Sequence, residues 1–368
     1  MTVLLVQLLQ VAVGVRDSLL LVPTAHDWMR MFDDAKVQCV AGVAFYGVNR
    51  LYQQHPEQVV SMPDDIKMQW HVVAEYLKAQ NGVVNGAIRK LLRDERLADC
   101  HKVILKGQAV AKYYPCHELR NAGDIDIWCV RHGMSLKESL KVMAHRALDL
   151  MPGAGVQPHH TDWPVVDGVR VELHFTPSMV YSFWYNRRVQ RYFEEILPNC
   201  QGYRLPIEAD VVFQLIHLRR HLIDEGVGLR QVMDLYWTVK AYASQRTDEL
   251  KHGKNLLLPI LKRLGLASFA EAMMWVLQEV FLMSDNELIC HPDKKRGAFV
   301  LSEVLKGGNF GIGKAQHHNT GKGRVRHLWY YTRLAMRCFR YFPHESVCAP
   351  IYRAYLWQWK KKFKSKNN

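Results

Sequence analysis

The stretch Val103–Val130, VILKGQAVAKYYPCHELRNAGDIDIWCV, sets the fold class, because it reads as strand, glycine turn, helix, loop and second strand with its charged residues at the joints. In the second strand Asp124 and Asp126 alternate with Ile125 and Ile127, so the two-residue period sends both carboxylates to one face and both isoleucines to the other. Two unpaired carboxylates beside a buried strand repel one another and are costly to desolvate, and a bound cation relieves both problems. Alternate residues on one strand face stand roughly 6–7 Å apart at the backbone. Their side chains can then converge on one Mg²⁺ or on two ions roughly 3.5–4 Å apart, the geometry of in-line phosphoryl chemistry.

Upstream, the short apolar run Val103–Leu105 ends in Lys106-Gly107 and is followed by a helical segment, Gln108–Tyr114, that stops before Pro115. The glycine lets a phosphate approach the backbone, the free N–H groups of a helix start suit an anion, and Lys106 adds a point charge. A third acid comes from Val169–His174, VRVELH, where Arg170, Glu172 and His174 share one face and Val169, Val171 and Leu173 the other. Glu172 is therefore the expected third metal ligand.

The order Lys106-Gly107, then Arg120-x-x-Gly123-Asp124-Ile125-Asp126, then an acidic strand ending in Leu173-His174 resembles a large group of uncharacterised bacterial nucleotidyltransferase-like proteins, relatives of the DNA polymerase β superfamily. In that superfamily a Gly-Ser or Gly-Gly turn holds the triphosphate, an acidic pair on a strand binds two metals, and a later strand adds a third carboxylate. The resemblance implies Gly107 as the turn and Asp124, Asp126 and Glu172 as the catalytic metal ligands for Mg²⁺ or Mn²⁺. It departs at Gln108, which stands where the superfamily has Ser or Gly, with Lys106 before the turn. The core match covers roughly a fifth of the chain. An isolated Asp-x-Asp is a weak signal, more often a solvated strand end; the ordered set carries the weight.

The 368 residues can hold two domains and a real core, and 49% hydrophobic with 23% charged residues is the composition of a soluble globular protein. The net charge of +14 is uneven: Lys322–Asn368 carries 12 Lys or Arg against one acid, Glu345. Such a tail invites RNA or an anionic membrane surface; the simpler reading, and the one favoured, is a solvated basic face of two terminal helices. Eight cysteines without a Cys-x-x-Cys pair point to reduced thiols in a cytoplasmic protein. The apolar N-terminus, MTVLLVQLLQVAVGV, has no basic residue before Arg16, is short for a transmembrane segment, and repeats Leu4, Leu5, Leu8, Leu9 and Ala12 at helical spacing.

Three regions are expected: a helical one over 1–98, the nucleotidyltransferase core over 99–205, and a helical one over 206–368 with a basic aromatic tail. The fold class is α+β, a small mixed sheet flanked by helices. In the first region Ile66–Leu97 carries a long amphipathic pattern that Asn81-Gly82 can kink. In the core, Met134–Leu150 keeps a period near 3.6, and Asp167-Gly168 after Val165-Val166 marks a hairpin. His159 and His160 are adjacent, so they point apart along a strand and read as surface or supporting groups; His174 shares the face of Glu172 and reads either as a phosphate contact or as a hydrogen-bonded strand end.

Ala209–Ile223 and Leu229–Ala243 read as two helices joined at Glu225-Gly226-Val227-Gly228. His217 and His221 stand four apart, and so do Arg230 and Asp234. The resemblance extends more loosely through His217–Trp237 and implies His221, Arg230 and Asp234 in the cleft as base, phosphate or sugar contacts, with an ordinary salt bridge between Arg230 and Asp234 as the plain alternative. Together with Lys106, Gly107, Gln108, Arg120, Gly123 and His174 they make up the expected nucleotide side. Leu305–Gly313, LKGGNFGIG, lacks a Walker pattern and reads as a connector or flap, and Val325–Phe342 and Ser346–Phe363 as aromatic-rich helices. The reaction expected is transfer of an NMP group from an NTP, ATP among them, to an unidentified hydroxyl acceptor. The alternatives are a non-catalytic protein that binds polyanions or a membrane surface on the same fold, and a toxin-like modifier of RNA or protein.

Overall fold

Strand alternation decides which side of this protein is chemistry and which is core. The computed structural model describes residues 3–224, 226–246, 256–307 and 336–364. Glu225, most of the glycine-dense stretch and most of Val325–Phe342, with Trp329, Tyr330 and Leu334, lie outside the described residues. The chain opens with helices α1 (Val3–Val13), α2 (Ala25–Val37), α3 (Ala41–Gln54) and α4 (Asp64–Leu92). There follow β1 (Cys100–Leu105), α5 (Gln108–Ala111), β2 (Ile125–Arg131), α6 (Leu136–Leu150), β3 (His160–Val166) and β4 (Val169–His174). Helices α7 (Phe183–Ile196), α8 (Ile207–Asp224), α9 (Leu229–Gln245), α10 (Leu257–Arg263), α11 (Ala267–Phe281), α12 (Lys294–Gly307) and α13 (Pro343–Lys364) complete it.

The strands form one sheet in the order β1-β2-β4-β3, with β2 and β4 parallel and both outer pairs antiparallel. It is the small mixed sheet expected of the α+β class. The β3–β4 turn places Asp167 and Gly168 both at positive φ, 51° and 78°, the backbone of a two-residue hairpin.

Ile125, Ile127 and Cys129 of β2, with Val171 and Leu173 of β4, bury one sheet face against Met143, Ala144 and Ala147 of α6 and Val84, Ala87 and Leu91 of α4. Trp128 and Val130, on the opposite face, join a larger core with α1, α3, α8, α9 and α11. The two Asp residues that alternate with the isoleucines therefore face the helical side. Burying a Leu, Val or Ile side chain contributes about 1.5–3 kcal/mol, so a one-residue register slip that turned this set outward would be prohibitive.

Two local expectations change. Helix α4 runs unbroken through Asn81-Gly82, because buried Asn81 aims inward and donates from Nδ2 to the carbonyls of Leu77, Glu118 and Arg120, each at 2.9 Å. That amide ties the loop before β2 to the helix. Gly42 on α3 makes room for the same loop, since a Cβ there would lie 2.1 Å from the Leu119 carbonyl oxygen. The helix expected over Gln108–Tyr114 is a single turn, α5; Pro115 disfavours helical backbone at Tyr114, and four residues make no anion-binding helix terminus. Elsewhere α6 starts in a capping box between Ser135 and Glu138. No helix among the described residues is long and apolar enough to cross a membrane, and all eight cysteines are free thiols.

Candidate active site

The register of three strands brings the acids together. Asp126 stands opposite Glu172 in the parallel pair, and on the far side of β4 His160 stands opposite His174. Residues two apart share a face, so Asp126, Glu172, His174 and His160 form one polar patch on the helical side of the sheet. Asp124, one residue ahead of β2, completes it: ligand oxygens of Asp124, Asp126 and Glu172 all lie within 4.8 Å of one another. The same spacing relates His160, Glu172 and His174.

Asp126 is the centre of this patch, with a relative exposure of 1%. Lys106 Nζ lies 2.9 Å from its Oδ1 and His174 Nε2 lies 2.8 Å from the same oxygen. Its other oxygen, Oδ2, is buried with no hydrogen-bond partner. A buried carboxylate oxygen without a donor carries a large desolvation cost, and a cation shared with Asp124 and Glu172 removes it. Three hard oxygen donors suit Mg²⁺ or Mn²⁺, so the residues present fit such an ion.

The titration behaviour follows from the crowding. Burial and then the Asp126 charge push the Asp124 carboxyl above the usual aspartate range, with Lys106 opposing. For Asp126 burial also acts upward, but Lys106 and the His174 hydrogen bond outweigh it and hold the group low. Glu172 is likewise held low: burial is overcome by His174, whose Nε2 lies 3.6 Å away, and by His160 and Lys106. Burial works against the His174 imidazolium, yet its hydrogen bond to Asp126 and the Glu172 carboxylate 3.6 Å away raise it above an ordinary histidine. His160 is driven down to about 4 by burial and by His174, and is neutral at pH 7.

Lys106 and Gly107 form the turn, at φ values of 35° and 48°. A non-glycine residue at positive φ is held there by its surroundings, here the Lys106–Asp126 ion pair. Lys106, Gly107, Arg120, Gly123, Asp124, Asp126, Arg230 and Asp234 line one hollow of about 30 Å³, room for about one water or one ion. Gln214 and His217 of α8 and Gln231 of α9 also line it. The expected set did not include those three. Their only sequence signal is spacing on a helix face, three apart for Gln214 and His217.

Other expected residues sit differently. Arg120 gives Nε and Nη2 to the two oxygens of Asp234, both at 2.7 Å, and Nη1 to the Asn121 carbonyl at 3.1 Å. Tyr114 donates to Asp234 Oδ1 at 2.7 Å. Asp234 thus pairs across 114 residues of sequence with Arg120, and the plain salt bridge from Arg230 is not what holds it. Gln108 Nε2 donates to the side-chain oxygens of Asn81 and Asn85 on α4, away from the hollow. His221 stacks edge-on against His217 with ring centroids 4.2 Å apart, and His217 is the one of the two that lines the hollow.

A family model described as an uncharacterised nucleotidyltransferase matches residues 24–282, well over half of the chain. The chain belongs to this nucleotidyltransferase family. The match takes in α2 through α11, so it covers the sheet, the carboxylate patch and both helices that close the hollow. Neither a search of curated proteins nor one of solved structures gives a match. Membership of a nucleotidyltransferase family supports nucleotidyl transfer as the general activity and a nucleotide as substrate.

Proposed function

We propose that the protein is a metal-dependent nucleotidyltransferase that moves an NMP group from an NTP to a hydroxyl acceptor with release of pyrophosphate. The observation that carries this is the convergence of Asp124, Asp126 and Glu172, with buried Asp126 Oδ2 left without a hydrogen bond. Nothing in a purely structural role requires three acids to be gathered around one lysine and one histidine. Divalent Mg²⁺ or Mn²⁺ held by these three residues would supply charge neutralisation at the phosphates and a lowered pKa at the acceptor hydroxyl.

The chain's own groups divide the remaining work. Lys106, raised above an ordinary lysine by Asp126, Asp124 and Glu172 against the effect of burial, stays cationic beside the Gly107 turn, where a phosphate can approach the backbone. Arg230 lines the same hollow, and the Arg120–Asp234 pair fixes the helix that carries it. Arg120 is therefore a positioning residue for α9. The hollow holds no more than an ion and its immediate ligands, so sugar and base lie outside its mouth.

Purified protein incubated with each NTP and Mg²⁺ is expected to release pyrophosphate and to yield a product heavier by one nucleotide residue. Absence of turnover with every NTP, metal and acceptor class tried, together with undiminished nucleotide binding in Asp124→Asn and Asp126→Asn, would leave a binding protein on the same fold.

A further inference from the structure

A second concavity, of about 1290 Å³, lies between α6, α7 and the middle of α13, at Tyr352 and Tyr355. Its walls repeat one charge. Lys137 and Lys141 stand four apart on α6, and Arg187 and Arg191 four apart on α7, so each pair projects from a single helix face toward the groove. All four are exposed, and none forms an ion pair among the described residues, whereas Lys36, Lys67, Lys78 and Lys90 on other helices each hold an acid. Glu194 is the one acid among the lining residues.

Rings of two kinds line the groove. Phe183 and Tyr355 are 52% and 38% exposed, with ring centroids 5.6 Å apart and planes nearly perpendicular. His159 also lines it, with Nε2 2.9 Å from Arg220 Nη1, and its ring centroid is 4.3 Å from that of His160 and 6.0 Å from that of His174. His174 contacts Asp126. One wall residue of the groove is therefore separated from the carboxylate patch by a single imidazole.

We infer that this groove holds the acceptor, and that the acceptor is the end of a single-stranded polynucleotide. Four unpaired cations facing one another across a concave channel match a flexible chain with a charge on every unit. Exposed rings on its wall match flat bases, and a groove whose wall residue His159 packs against His160 brings a terminal hydroxyl near the acids. A membrane surface does not enter a concavity, and a neutral small acceptor leaves the cations unused. The inference rests on the nucleotidyltransferase reading for the reaction of the bound end, but not for the binding itself.

The test is fluorescence anisotropy of end-labelled RNA and DNA oligonucleotides of about ten residues with the full chain, without NTP or metal. Four phosphate contacts weaken binding at least about 50-fold between 50 and 200 mM salt. Lys141→Glu with Arg191→Glu, and separately Lys137→Glu with Arg187→Glu, should each weaken it at least about tenfold and flatten the salt dependence. Phe183→Ala should cost about tenfold for a lost stacking partner. A difference between the RNA and DNA arms identifies the sugar recognised. Unchanged affinity in both charge-reversed proteins, or loss in them of binding to phosphatidylglycerol vesicles while no oligonucleotide binds, overturns the inference. Oligonucleotide binding that follows these predictions without any nucleotide addition sustains the groove and counts against the nucleotidyltransferase reading instead.

Discussion

Two buried charge clusters lie on either side of the same small hollow, and they are built on opposite principles. Around Asp234, both carboxylate oxygens are taken by Arg120 in a two-pronged pair at 2.7 Å, and Tyr114 adds a third donor. Donors and acceptors balance, and the cluster is closed. Around Asp126, two donors crowd one oxygen while the other has none, and two further acids stand within 4.8 Å. Negative charge is in excess, and the cluster is open. A buried pair that satisfies itself needs no further partner; a buried carboxylate oxygen without a donor carries a desolvation cost that a cation would remove. The proposed metal site rests on that contrast.

Substitutions should divide along that line. The largest effect is expected from Asp124→Asn, which removes one ligand of the open cluster: nucleotidyl transfer should fall by at least about 10²–10³-fold, measured as pyrophosphate release. The same change relieves a carboxylate that burial and then the Asp126 charge hold above its usual range. The melting temperature of the metal-free protein should therefore hold or rise. A melting temperature that drops sharply would make Asp124 part of the scaffold and erase the contrast.

Asp234→Ala should do the reverse. Leaving Arg120 buried and unpaired costs about 3–5 kcal/mol of stability, read by urea unfolding monitored through tryptophan fluorescence. Nucleotide binding by the fraction still folded should weaken through misplaced Arg230. A stability loss below about 1 kcal/mol would show that Asp234 is exposed in solution.

The pH dependence sharpens the comparison further. The folded-state pKa of His174 lies above its ordinary 6.5. Its stabilising contribution is therefore complete below about that pH and is lost as pH rises through the folded value. Metal-free protein should lose stability over that rise, while His174→Gln should not show the same slope, as followed by thermal melts from pH 6 to 9. The smallest effect is expected from Gln108→Ala. Its amide is engaged by Asn81 and Asn85, so the change should cost about 0.5–1.5 kcal/mol and leave the nucleotide dissociation constant unaltered. A weakened constant would place Gln108 on the phosphates after all.

How far the sequence could be read follows from how local each feature is. Strand alternation is local, and so Asp124, Asp126 and Glu172 were assigned to one face with Ile125, Ile127 and Val171 on the other, as the two cores bear out. The Asp167-Gly168 hairpin was legible for the same reason, because two adjacent residues carry the turn. Pairing between distant segments was not. The i, i+4 spacing of Arg230 and Asp234 suggested a salt bridge within one helix, but the partner of Asp234 comes from a loop 114 residues earlier. His160 reads from sequence as a surface or supporting group, because two adjacent histidines point apart along a strand; only the β3–β4 register sets it opposite His174. Gln214, His217 and Gln231 lie on helices whose every face is largely buried, where periodicity cannot single out the side that meets the hollow.

The most direct measurement is anomalous diffraction from crystals soaked in Mn²⁺ with a non-hydrolysable nucleoside triphosphate. If the open cluster is a metal site, a manganese peak lies between the oxygens of Asp124, Asp126 and Glu172, within bonding distance of Asp126 Oδ2, and disappears in Asp124→Asn. Crystals with nucleotide bound but no manganese at these three carboxylates, and Lys106 and His174 still closed on Asp126, would contradict it.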